Sequence, residues 1–487
     1  MPDDAPQQAQ PGMNGRSSNG ASSAGAAQAF IDQGNRAADA GDFEAAEDAF
    51  AKAVAANPQD ARARYNLALA RQQLDDPEGA IASYMRAIQL DPQLIEAYMN
   101  LGNLYGELQL EELALEVFQR ALELDSGNDE LFMSVGDAYR DLGFYDDAVL
   151  AYRQAQILNP DNTLAADNLR DVRERLNEQA ERIADHERSL DDDPRDLDRY
   201  TSLVEAYLEA HRDQDALNTA NQMVALDPEN PLVYEVLATV YEAENRATEA
   251  ADAWQHVVQY APEHAEAWEH LGTWREAENR LDDAITAYRK AMELDPDSIG
   301  ARFSLAEVLR DAEHFDEAIE VYQNLITDYR ETTGEENEQT LADAYAGLAA
   351  TLNMAARYMD ALTTSNEFLT RFPENAEGLY ERASSYDALG RHEEAIQSYL
   401  AALDSDPLNA VICNDLADTY LELGRIDDAI EMAEQAVALD PDLAVGYETM
   451  AQAFQRAGRN DEAEEALLRA EAIRAAEEEV ADEDNNG

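Results

Sequence analysis

Apolar residues along this chain recur at helical spacing in short blocks, and the blocks themselves recur. In residues 95–128, Tyr98, Leu101, Gly102 and Tyr105 share one face of a first helix, and Ala114, Phe118 and Ala121 share one face of a second. The same layout returns every 34 residues, in frames starting at 27, 61, 95, 129, 163, 197, 231, 265 and 299 and again at 342, 376, 410 and 444. Pro58, Pro92, Pro160, Pro194, Pro228, Pro262 and Pro296 keep that period, and Pro373, Pro407 and Pro441 resume it after one break. A unit this short cannot bury its own apolar face, so the period predicts an all-α solenoid of helical hairpins.

The two helices of each hairpin must reverse direction. Gly41, Gly143, Gly390, Gly424 and Gly458 stand at the predicted inner turn, and Asn245 and Asn279 fill the same slot elsewhere. Both residue types tolerate the left-handed conformation that follows a helix. Close helix axes leave no room for two bulky side chains at the crossing. Gly102, Gly136 and Gly272 on first helices and Ala114, Ala148, Ala284 and Ala429 on second helices are therefore the expected small residues of the crossing, and large residues such as Phe50, Phe118, Tyr152 and Tyr288 are expected to fill the adjacent gaps.

These residues carry a resemblance. The frame from 265, with Trp268, Leu271, Gly272, Ala284, Tyr288, Ala291 and Pro296, is similar to the tetratricopeptide repeat, W-x2-L-G-x2-Y, A-x3-F-x2-A, P. Twelve frames match well and one is degenerate. The resemblance implies a right-handed superhelix whose first helices line a concave groove.

Three irregularities divide the chain. Residues 1–26, rich in Gly, Ser, Pro and Gln, are expected to be disordered. Four repeats fill 27–162. The frame at 163–196 loses its inner turn and carries one apolar stripe, Leu169, Val172, Leu176, Ala180 and Ile183, which predicts a continuous capping or connecting helix over 163–190. Eight repeats follow over 197–477, interrupted by an insertion at 333–341, and 478–487 reads as an acidic disordered tail.

Charge narrows the partners. Against 103 acidic residues stand 35 basic ones, a net of −68, and only Lys52 and Lys290 among the basic residues are lysines. Nucleic acid and anionic membrane surfaces are disfavoured as partners. No run approaches the roughly 18 apolar residues of a membrane span, and the N-terminus lacks the pattern of a secretory signal. A cytoplasmic protein is expected. The acids are spread along nearly the whole chain, which favours adaptation to high salt over a local acidic patch; a base composition that prefers Arg to Lys is the plainer contributor.

Chemistry is sparse. His264 and His270 are six residues apart and do not share a helix face as HExxH ligands would. The single cysteine, Cys413, excludes a CxxC pair and sits where a buried structural thiol is expected. No phosphate-binding glycine loop is present. The expectation is a non-enzyme without metal or cofactor.

The resemblance places the second, fifth, sixth, ninth and twelfth residues of each repeat in the groove. In the first four repeats these include an apolar ribbon of Ile31, Tyr65, Met99 and Met133, beside Asn35, Asn66, Asn100 and Asn103. Asparagine amides both donate and accept, so they suit the backbone of an extended peptide, and Met and Tyr accept varied side chains. In the later repeats Phe303, Arg310, Asn353 and Tyr380 would face the groove among Glu269, Glu307, Asp387 and Asp418. Family members that clamp a C-terminal carboxylate use basic groove residues; here Arg62 is the lone candidate in the first repeats. Other proteins, through neutral or basic extended segments, are the expected partners of a scaffold. The alternative is a chaperone or assembly factor for apolar segments of unfolded or secreted clients. If the acidity is a salt adaptation, helicity and melting temperature should both rise between low and molar salt. A flat response in a circular-dichroism melt would return the acidity to base composition or to a local patch.

Overall fold

The computed structural model describes residues 19–57, 59–332 and 334–484, and all regular structure among them is α-helical, in 25 helices. Two compact units divide the chain: Met1–Asp125 with Ala438–Pro441, and Ser126–Val437 with Asp442–Gly487. The first unit holds three hairpins. They are α1 (Asn19–Asp39) with α2 (Phe43–Ala56), α3 (Ala61–Gln73) with α4 (Pro77–Leu90), and α5 (Ile95–Glu107) with α6 (Glu111–Leu124).

The second unit opens with α7 (Asp129–Asp141) and α8 (Tyr145–Leu158), followed by the lone α9 (Thr163–Asp192). Next come α10 (Leu197–Leu208) with α11 (Asp213–Leu226), α12 (Pro231–Ala243) with α13 (Ala247–Tyr260), and α14 (Ala265–Ala277) with α15 (Leu281–Leu294). Then follow α16 (Ile299–Asp311) with α17 (Phe315–Tyr329), and α18 (Glu335–Met354) with α19 (Tyr358–Arg371). The last three pairs are α20 (Ala376–Ala388) with α21 (His392–Ser405), α22 (Ala410–Glu422) with α23 (Ile426–Leu439), and α24 (Ala444–Arg456) with α25 (Asn460–Asp484).

Several boundaries differ from the expected ones. Residues 1–18 lie outside the described residues, but α1 takes in residues 19–26 of the segment expected to be disordered, where Ala21, Ala24 and Ala26 favour helix against Gly20 and Gly25. At the other end α25 runs to Asp484 through the acidic tail, where Glu and Ala sustain the helix; residues 485–487 lie outside the described residues. The insertion at 333–341 largely becomes the first turns of α18, and its last residue, Leu341, is fully buried against Tyr322 and Tyr345. The expected continuous helix at 163–190 is α9. It does not mark the division between compact units, because both its ends are packed inside the second one. Leu169 and Val172 join the core of α7 and α8, and Ile183 joins that of α10–α13. Gln179 Nε2 donates to the Glu209 carbonyl at 2.7 Å, Tyr207 Oη donates to Glu187 Oε1 at 2.6 Å, and Arg182 pairs with Glu209.

Within a hairpin the crossing is set by one small residue and one ring. A Cβ added at Gly34 or Gly102 would lie 2.5 Å from the ring of Phe50 or Phe118, and one at Gly136 or Gly272 would lie 2.6 Å from Tyr152 or Tyr288. Such separations are well inside van der Waals contact, so only glycine permits this approach. Tyr84, Tyr152, Tyr288, Tyr322 and Phe368 on the second helices are among the largest fully buried side chains. The hydroxyls of Tyr84, Tyr152 and Tyr288 reach back to the first helix. Tyr84 donates to Gln72 Oε1 at 2.8 Å, Tyr152 to Asp137 Oδ1 at 2.6 Å, and Tyr288 to Glu276 Oε2 at 3.0 Å.

The inner turn is closed by a left-handed residue. Gly41, Gly143, Gly390, Gly424, Gly458, Asn245 and Asn279 have positive φ as expected, and so do Asp75, Gln109, His211, Glu313 and Ala356 in the same slot. Two devices then start the second helix. Asp42 and Asp76 cap it, each accepting from a backbone N–H of the first turn, Ala45 N at 3.1 Å and Gly79 N at 3.0 Å. In later repeats an arginine takes that place. Arg212, Arg246, Arg391, Arg425 and Arg459 lie 4.2–4.7 Å over the rings of Tyr207, Tyr241, Tyr386, Tyr420 and Phe454. Each also pairs with an acid three residues on, Asp215, Glu249, Glu394, Asp428 or Glu462.

Gly272→Ala should destabilise the chain by about 1–3 kcal/mol through overpacking against Tyr288. A double-mutant cycle with Tyr288→Leu should recover part of that loss in a thermal melt; strict additivity would mean that the two residues do not define the crossing.

Candidate functional site

In the first unit the residues expected in the groove fall into two classes. Ile31 is half-buried and packs against the core of α2 and α3, while Asn35 is exposed. Tyr65 on α3 is half-buried, its ring 5.9 Å from that of Tyr84, and its hydroxyl accepts from Asn100 Nδ2 on α5 at 3.0 Å. Arg62 and Glu96 form an ion pair at 3.6 Å between the same two helices. Burial pushes the Tyr65 phenol above its ordinary range, opposed by the Asn100 hydrogen bond, reinforced by Glu96 and opposed again by Arg62. Met99 and Asn66 are half-buried and Asn103 is exposed. No hydrogen bond among the described residues engages the side chain of Asn35, Asn66 or Asn103.

Met133 departs from the expected ribbon. It belongs to the second unit, is 7% exposed, and forms core with Ala148, Tyr152, Ala165 and Leu169. The cause is α9. Its first turns place Ala165, Leu169 and Val172 in the same cluster as Met133, which leaves little of the methionine for a partner.

Two polar clusters in the second unit escape a reading based on repeat positions alone. Glu242 on α12 accepts from Trp254 Nε1 on α13 and Trp274 Nε1 on α14, both at 2.6 Å, and His270 Nδ1 lies 3.3 Å away. The His270 ring stacks on Trp254 at 4.4 Å. Burial pushes the Glu242 carboxyl up, but its His270, Trp254 and Trp274 partners together outweigh burial and hold it below the usual range. The hydrogen bond to Glu242 raises His270, against its own burial. Two tryptophans and a histidine spaced around a twelfth-position acid were the available signal; the two indoles converge on it only because they come from different helices. The neighbouring His264 faces Glu235 at 3.3 Å, and no metal-binding group of three or more His, Cys, Asp or Glu occurs among the described residues.

The second cluster lies on α18, α20 and α22. Asn353 Nδ2 donates to Glu381 Oε2 at 2.7 Å and to the Glu381 carbonyl at 3.0 Å, and Ser385 Oγ donates to Asn353 Oδ1 at 2.7 Å. Tyr380 Oη donates to Asp415 Oδ2 at 2.9 Å, and Asn414 Nδ2 donates to Asp415 Oδ1 at 3.2 Å. Asp343, Glu377 and Asp418 flank this half-buried pair with faces open to solvent. Burial raises all five carboxyls above their ordinary range, and Glu381 is pushed up to about 7, with Asn353 opposing and Glu377 adding. Arg310 is the cation nearby, and its charge acts in the lowering direction on Glu381. Cys413, adjacent in sequence, is fully buried, and burial pushes its thiol up to about 12, so it is neutral.

Three family models described as tetratricopeptide repeat match the chain. One matches residues 31–95, 235–299 and 355–410, a second 276–333 and 388–447, and a third 95–128. The chain belongs to the tetratricopeptide-repeat family. No curated protein matches the sequence. Among solved structures, a chain of the APC/C hetero-tetramer Cut9-Hcn1 is similar at 14% identity, over 88% of this chain and 96% of that one. Its TM-score is 0.36, a likeness too loose to speak to function.

Tetratricopeptide repeats bind other proteins and are generally non-catalytic, which makes this chain a protein-interaction scaffold in general terms. No helix among the described residues is long and apolar enough to cross a membrane. Of the expected groove residues of this tetratricopeptide-repeat chain, Tyr65 and Asn100 are brought together directly, and Asn353 and Tyr380 each hold a carboxylate.

The His270–Glu242 pair gives a signed pH dependence. Raised His270 stabilises the fold fully below about pH 6.5 and loses that contribution as pH rises through its folded pKa. Lowered Glu242 stabilises above about pH 4.3 and loses it as pH falls through its own folded pKa. The pair therefore contributes most between those limits. His270→Gln should flatten the fall in melting temperature as pH rises above about 6.5; an unchanged profile would remove the pair as its source.

Proposed function

We propose that this tetratricopeptide-repeat chain is a non-catalytic scaffold that holds extended segments of partner proteins along its first helices. One observation carries the reading. In the first unit the amides of Asn35, Asn66 and Asn103 make no side-chain hydrogen bond among the described residues, and they lie on α1, α3 and α5, the helices that carry Ile31, Tyr65 and Met99. An amide can donate and accept along a peptide backbone whatever the side chains, while Tyr and Met accept varied apolar groups beside it. Asn100 fixes the Tyr65 hydroxyl, so that ring is pre-oriented and less rotamer freedom is lost on binding. The surplus of acid over base makes neutral or basic segments the better fit. A cytoplasmic setting accords with the single buried thiol.

The chaperone alternative depends on a continuous apolar ribbon, and the burial of Met133 shortens it. Selection from an unbiased library of displayed peptides distinguishes the two. Wild type should enrich related extended sequences, and a Tyr65→Ala, Asn66→Ala, Asn103→Ala variant should bind them roughly 10- to 100-fold more weakly while melting close to wild type. Enrichment of unrelated apolar peptides would fit a chaperone. Selected peptides that bind the variant equally would move the site away from α3 and α5.

A further inference from the structure

Two large apolar residues on α8 break a rule that the other hairpins keep. Leu150 and Ile157 stand seven residues apart, which places them two turns apart on one face of the helix, and they are 61% and 67% exposed. In every other hairpin the same two slots hold an acidic, amide, threonine or alanine residue, as with Glu116 and Glu123 on α6 or Asp252 and Gln259 on α13. The core that takes in Ala148, Tyr152 and Ala155 from α8 leaves both of them out. A single exposed leucine is ordinary. An apolar pair in register, at slots that are otherwise small or polar throughout, is a face without a partner.

Charge decides what fits that face. Asp146 and Asp147 lie one turn before Leu150, Arg153 lies between the two apolar residues, and Asp161 follows just past the end of α8; all four are exposed. Among the described residues none of these four is ion-paired. Along the chain the order is thus acid, apolar, base, apolar, acid. A second copy fits poorly. Two such faces set antiparallel, Leu150 against Ile157, bring Asp146 near Asp161 and Arg153 near its own counterpart, and set in parallel they match each charge with itself. An anionic membrane surface meets acids at both ends. The complementary order is base, apolar, acid, apolar, base, and apolar residues about 10 Å apart are what a second helix presents at positions i and i+7.

We propose that the solvent face of α8 docks an amphipathic helix of a partner protein, one that carries leucine-like residues seven apart, lysine or arginine at both ends of that stripe and an acid between them. The site is separate from the first-helix groove of the scaffold reading, which lies in the other compact unit. The apolar pair supplies the contact that water leaves on binding, and the charges around it select the partner and oppose self-association.

The test uses the full chain and two labelled helical peptides with the same leucine stripe. One has lysine ends and a central glutamate, and the other has glutamate ends and a central lysine. Binding is read by fluorescence anisotropy in moderate salt, which screens the general attraction of an acidic surface. Wild type should prefer the lysine-ended peptide by about tenfold or more. Leu150→Gln with Ile157→Gln leaves the charge of the chain unchanged and, at exposed positions, should melt close to wild type. It should nevertheless bind that peptide roughly tenfold more weakly. Arg153→Glu gives an opposite sign to the two explanations: general attraction would tighten binding of the lysine-ended peptide, whereas loss of the central pair should weaken it. Leu468→Gln, which removes a leucine of the same 61% exposure from α25, should bind as wild type does. No preference in wild type, unchanged binding in the double variant, tighter binding in Arg153→Glu, or an equal loss in Leu468→Gln would overturn the site. So would a dimer in sedimentation equilibrium that the double variant dissolves, since the face would then belong to a second copy. The first-unit variant Tyr65→Ala, Asn66→Ala, Asn103→Ala should bind the lysine-ended peptide as wild type does. Failure of the groove in α3 and α5 is therefore separable from failure here.

Discussion

The close crossing of a first-helix glycine under a second-helix ring underlies the repeat in its best-formed copies. With a Cβ excluded at Gly34, Gly102, Gly136 and Gly272, the two backbones approach until the ring fills the space between them. Burying such a side chain contributes about 1.5–3 kcal/mol, and where the ring is a tyrosine its hydroxyl must then find a partner. It finds one on the opposite helix, as Tyr152 does with Asp137 and Tyr288 with Glu276. Acids of the first helix, Asp137 and Glu276, are thus held from behind by the core.

Charge is handled by a division of labour. Several arginines close an inner turn, stacking on the ring before it and pairing with the acid after it. Each such pair is partly exposed and contributes little singly. Together they place cations at the inner turns. Two different fates of acid follow on the same hairpin. Acids beside the turn are paired with arginine, and Glu381 on α20 and Asp415 on α22 are held instead by the neutral donors Asn353 and Tyr380.

The periodicity made the fold legible because it depends on spacing alone. Prolines, small residues and rings at one interval specify a hairpin stack, and even the loss of the inner turn at α9 was visible as an uninterrupted stripe. Helix ends were less legible, since α1 and α25 run into segments whose composition resembles a linker but whose Ala and Glu favour helix. Positive φ at Gln109, Glu313 and Ala356 carried no residue-type signal, because the tertiary arrangement imposes it. At the site, Tyr65 and Asn100 were found by register, yet their mutual hydrogen bond spans two repeats and needed coordinates. Met133 was misplaced for a related reason. Its burial is decided by α9, a neighbour that departs from the repeat on which the assignment rested. The convergence of Trp254 and Trp274 on Glu242 belongs to the same kind, since no single helix contains it.

The helix α9 has a mechanical consequence. Its first turns are anchored in the core of α7 and α8 and its later turns in that of α10–α13, while Leu176 is only half-buried and Ala180 is exposed between them. A regular hairpin can absorb a small displacement at its inner turn, where backbone torsions change at low cost. An unbroken helix of 30 residues has no such joint. It transmits a tilt at one end to the other as a crank does. Within the second unit, any movement that a bound segment imposes on α7 and α8 reaches α10 as rotation of a rod rather than as repacking passed from one neighbour to the next.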